Sequence, residues 1–165
     1  MRAVAVAVAL GVLLGAVQAR AQRAPAVCMS DSELRDVLLS VYTFGLAQTA
    51  GICVRRYPQL KQQATVAIGT FEKSYGKELD ALDKRTIAVF ERLYPGRGAA
   101  MRDKNDRSAN DDALRSVEAY SRDQCTAAVT GLNAMATAQD WKTIAQGGPV
   151  GAVWETERAK VAKCK

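Results

Sequence analysis

The chain has no histidine anywhere in its 165 residues. That absence removes the Ser-His-Asp and Cys-His nucleophile systems, the histidine general base, histidine-ligated zinc or copper, and c-type haem attachment. There is no Cys-x-x-Cys, and the four cysteines lie far apart, whereas zinc sites bring their ligands in close pairs. No Asn-x-Ser/Thr acceptor for N-glycosylation occurs. Aromatic residues make up only 6% of the chain. They do not interleave with a basic cluster, which excludes the usual nucleic-acid footprint. The nearest approach, Arg55, Arg56 and Tyr57, reads as the basic end of a helix, where cations meet the negative end of the dipole. Past the N-terminal segment no stretch alternates apolar and polar residues with period 2, and there is no internal repeat.

What is present begins with an export signal. Arg2 is a basic start, residues 3–17 are uncharged and apolar, and Ala19 and Ala21 place small side chains at −3 and −1 of a cleavage site after Ala21. Arg20 and Arg23 cut the apolar run short of a membrane span. Residues 1–21 are therefore expected to be a signal peptide, and residues 22–165 a single domain without an integral membrane segment. Cleavage removes Arg2 and Arg20 and no acid, so the +6 of the whole chain falls to +4. That mild basicity is compatible with attraction to anionic surfaces but does not by itself specify a partner. Export, to the periplasm or beyond, puts Cys28, Cys53, Cys125 and Cys164 in an oxidising compartment, where disulfides persist.

The remaining pattern is helical. Ser30 with Glu33 is a capping box, followed by a stripe through Leu34, Leu38 and Val41, which Val37, Phe44 and Leu46 widen. A helix over 31–57 should stop at Pro58. A second stripe runs from Leu60 to Tyr94. One helix of that length would be about 55 Å long, so a break is expected between Gly76 and Lys84. Residues 95–110 read as a polar loop, with Asp111 or Asp112 capping a helix through Leu114, Val117, Cys125, Leu132 and Met135. Gly147, Gly148 and Pro149 stop it, and a last helix follows over 150–163. The expected fold is an all-α bundle of four or five helices. A continuous first helix holds Cys28 and Cys53 roughly 30 Å or more apart, so geometry favours Cys28–Cys164 and Cys53–Cys125.

Chemistry is sparse. Glu72, Glu78, Asp80, Asp83, Glu118 and Asp123 offer carboxylates for a cell-wall hydrolase built on an acid pair, but their interleaving with Lys73, Lys77, Lys84 and Arg85 reads as a solvated helix face. A calcium loop starting at Asp103 fails at Arg107, Ser108 and Leu114. Gly96-Arg97-Gly98 lacks the strand and the Lys-Ser/Thr of a phosphate loop. No cofactor or metal is expected. The binding candidates are Trp141 and Lys142, beside the Gly147, Gly148 and Pro149 break, because an exposed Trp marks contact sites; the alternative is a Trp that covers the bundle end. The loop over 95–112 is the competing site.

In architecture the chain resembles the small disulfide-linked helical inhibitor and immunity proteins that neutralise cell-wall enzymes in bacterial envelopes. The expected function is non-catalytic binding of another envelope or extracellular protein. A hydrolase with a carboxylate pair and a small-ligand carrier with an apolar cavity are the alternatives.

Overall fold

The computed structural model describes residues 28–164. The signal-peptide expectation for residues 1–21 lies outside them. The described chain is all-α and carries two disulfides, Cys28–Cys164 and Cys53–Cys125.

Helix α1 (Asp31–Arg56) opens on the expected capping box. Ser30 Oγ accepts from the Glu33 N–H at 3.2 Å, and Glu33 Oε2 accepts from the Ser30 N–H at 2.7 Å. Pro58 ends it and starts a single 3₁₀ turn, Pro58–Leu60. Helix α1 is long and apolar enough to cross a membrane, yet 56% of that stretch is buried inside the fold. It is the core helix, packed against α2, α3 and α4.

Helix α2 (Lys61–Leu93) is continuous, which corrects the expected break between Gly76 and Lys84. At about 1.5 Å per residue it is roughly 50 Å long. The molecule accommodates that length by packing α2 against α1, α3 and α4. The charged stretch of α2 finds partners in place instead of breaking: Glu78 meets Trp141, Asp83 meets Arg102 and Arg85 meets Asp36.

Helix α3 (Gly98–Val117) occupies the segment expected to be a loop. Its breakers, Pro95, Gly96 and Gly98, all lie at or before its start, and Gly96 makes the turn with φ 73°. The carboxylate of Glu91 accepts from the N–H groups of Gly96 and Gly98 and so ties the turn to α2. The helix was hidden in the sequence because its inner face is held by charge as well as by apolar residues. Arg102, 8% exposed, donates from Nε to Asp83 at 2.8 Å and pairs with Asp106 one turn along. Residues 111 and 112 lie inside α3. The true cap of helix α4 (Arg122–Thr137) is Ser121, with Gln124 completing a second capping box.

Helix α5 (Trp141–Gly147) is capped by Asp140, and helix α6 (Pro149–Lys160) follows Gly148. The last residues of the expected final helix form a strand instead: β2 (Ala162–Lys163) pairs in parallel with β1 (Cys28–Met29). Side-chain contacts fix the directions. Asp36–Arg85 and Glu33–Arg92 set α1 antiparallel to α2, and Arg56 donating to the carbonyls of Val117 and Glu118 brings the end of α3 to the end of α1. Four columns result, running up, down, up and down. The fourth is α4, α5 and α6 in series, and the described residues hold six α-helices where four or five are expected, because α3 replaces the expected loop.

Candidate functional site

The four columns do not close completely. A cleft of about 290 Å³, open to solvent, is lined by α1, α2, α3 and α4. Ser40, Thr43, Phe44, Leu46 and Ala47 come from α1, Leu132 and Met135 from α4, and Arg102 from α3. The α2 wall alternates Ile68, Phe71, Leu79 and Leu82 with Glu72, Asp80 and Asp83. The wall is therefore apolar, with carboxylates interspersed. Asp83 is already held by Arg102. Glu72 and Asp80 are exposed and make no ion pair among the described residues.

The sequence pointed elsewhere for binding. Trp141 is fully buried, with 0% exposure, so the expectation of an exposed Trp is overturned and the alternative, a Trp that closes the core, describes it. Its ring meets Phe71 edge-on with centroids 5.6 Å apart, and Tyr75 at 6.3 Å. Its indole N–H donates to Glu78 at 3.2 Å, and Lys142 pairs with the same carboxylate. The physical reason is the Asp140 cap, which accepts from the Lys142 N–H and the Thr143 hydroxyl and starts α5 in the register that turns Trp141 inward. The hydroxyl of Thr143 first, and then the backbone N–H groups, hold the Asp140 carboxyl below the usual range, although partial desolvation opposes them.

No family model, curated protein or solved structure matches the chain. The site therefore rests on its own geometry.

Of the acids offered for a catalytic pair, Glu72, Asp80 and Asp83 line the cleft together, with Asp83 held by Arg102. Glu118 caps the end of α3 and is absent from the lining. Among the described residues no group of three or more Cys, Asp and Glu is placed to hold a metal ion. The competing site over 95–112 is mostly helix α3, and its Arg102 contributes to the cleft.

The cleft is the feature that sequence reading missed. Its one signal was the width of the α1 stripe, where Phe44 and Leu46 extend the apolar face beyond a single packing seam. Both remain half-buried in the fold. Another half-buried aromatic, Trp154 on α6, lies under the Arg35 guanidinium at 5.0 Å from its ring centroid.

Proposed function

We propose that the chain is an exported, non-catalytic binding protein, inhibitor- or immunity-like in role, which receives an apolar side chain of another envelope or extracellular protein in the α1–α4 cleft. The observation that supports this reading is the cleft itself: an open, largely apolar depression of about 290 Å³ in a scaffold tied by two disulfides. Interfaces are anchored where a large side chain enters a desolvated pocket, and a rigid scaffold lowers the ordering cost of binding. A carrier of small ligands ordinarily encloses most of its ligand's surface; the openness of this cleft favours a protein anchor. The apolar leader of the sequence and the two disulfides support a periplasmic or secreted location.

The test is to fill the cleft. Ala47 is an exposed small residue in its lining, whereas Val66, 58% exposed on α2, is outside it. In a pull-down from envelope extract, Ala47→Trp is expected to lose a partner that the parent chain and Val66→Trp both retain. Retention by Ala47→Trp would move the binding site away from the cleft, and recovery of no partner by the parent chain would count against the reading.

A further inference from the structure

We infer that the segment entering the cleft is basic and amphipathic: an apolar anchor flanked by Lys or Arg that reaches Glu72 and Asp80. This rests on the reading of the cleft as a seat for a partner protein. The chain as a whole carries +6, yet three of the four charged residues that line the cleft are acids. The single cation, Arg102, is buried and engaged by both Asp83 and Asp106. Glu72 and Asp80 remain exposed beside Phe71 and Leu79 without an ion pair among the described residues. Lys73, Lys77 and Lys84 lie on the same helix but outside the lining. The local sign at the cleft is thus opposite to that of the molecule. Such a patch selects cationic over anionic segments of equal apolarity, since like-charge juxtaposition penalises the wrong partner.

The probes are three short synthetic peptides: an amphipathic leucine/lysine helix, the leucine/glutamate helix of the same apolar spacing, and a serine/lysine peptide of the same charge without apolar residues. Dodecylammonium serves as the small-molecule arm. Binding to the mature chain is measured by fluorescence anisotropy or calorimetry at about 0.15 M salt, where exposed charges more than a Debye length of about 8 Å apart are screened. The leucine/lysine peptide is expected to bind at least tenfold more tightly than either other peptide. Glu72→Gln combined with Asp80→Asn should weaken it roughly three- to tenfold, the scale of two exposed ion pairs, and leave the leucine/glutamate peptide no weaker. Both acids are exposed, so circular dichroism should report an intact fold. Equal binding of the leucine/lysine and leucine/glutamate peptides, both lost in Ala47→Trp, would overturn the charge inference and leave the cleft reading standing. Leucine/lysine binding that survives Ala47→Trp would overturn the cleft reading itself. Binding of dodecylammonium alone, or of the serine/lysine peptide as strongly as leucine/lysine, would overturn the basic amphipathic partner.

Discussion

The indole N–H of Trp141 donates to Glu78 at 3.2 Å. The bond joins the first residue of α5 to the middle of α2. It satisfies the one polar atom of a buried side chain that would otherwise lack a partner, as buried Trp usually requires. It also places the fourth column where Phe71 and Tyr75 can pack on it.

Trp141→Ala is therefore expected to destabilise the fold by about 3–5 kcal/mol, the range for emptying a buried aromatic site. Urea unfolding followed by circular dichroism measures it. A change within 0.5 kcal/mol, typical of a surface position, would show that Trp141 is not part of the core.

The two disulfides differ in burial. Cys53 and Cys125 are 0% exposed, whereas Cys28 and Cys164 are partly exposed beside the β1–β2 pair. Mild dithiol treatment followed by alkylation should label Cys28 and Cys164 first. Replacing either pair with alanine is expected to cost up to roughly 4–5 kcal/mol by chain entropy. Simultaneous labelling of all four cysteines would contradict the difference in access.

Acid sensitivity should be confined to low pH. The Lys163 ammonium bonded to Asp31 holds that carboxyl below the usual range, with partial desolvation opposing it. Burial works to raise Glu33, but the Ser30 N–H and the Arg92 guanidinium outweigh it, and the net shift is downward. The Gly96 and Gly98 N–H groups lower Glu91. Each folded-state pKa lies below its unfolded value, so the stabilisation is present above about pH 4–4.5 and is lost as pH falls through the folded values. With no histidine and no free cysteine among the described residues, Tm should stay nearly flat from pH 8 to 5 and then decline. A steep change between pH 6 and 7 would contradict this.

Asn105 is 4% exposed, and its Nδ2 has no hydrogen-bond partner among the described residues. A buried unsatisfied donor costs free energy that an apolar side chain of similar size avoids. Asn105→Leu is expected to raise stability by about 1 kcal/mol, read as a higher midpoint in urea with an unchanged slope. A lower midpoint would mean that the amide is satisfied in solution.

The apolar helices were legible in the sequence, and α3 was not. Helix α1 announced itself through the capping box at Ser30 and Glu33 and through its stripe, and its continuity correctly excluded a Cys28–Cys53 bond. Helix α3 lacks a sustained apolar stripe because Arg102, Asn105 and Asp106 occupy its inner face, and sequence periodicity detects greasy faces only. The unbroken run of α2 was misjudged because a single helix does not reveal the neighbours that support it, here α1, α3 and α4, with Trp141 of α5 against Phe71 and Tyr75. The burial of Trp141 depends on Glu78, distant in sequence, and composition around the Gly147, Gly148 and Pro149 break gave no hint of it. The cleft is a gap between columns, and gaps have no sequence signature beyond a stripe such as Phe44 and Leu46 that is wider than its cover.

The most direct measurement is a titration of the isotopically labelled chain without residues 1–21 with the leucine/lysine peptide, followed by amide chemical shifts. Saturable shifts are expected at Thr43, Ala47, Ile68, Glu72, Asp80 and Leu132, with the outer end of α6 unmoved. Shifts centred on α6, or no saturable shift at all, would contradict a binding seat in the cleft.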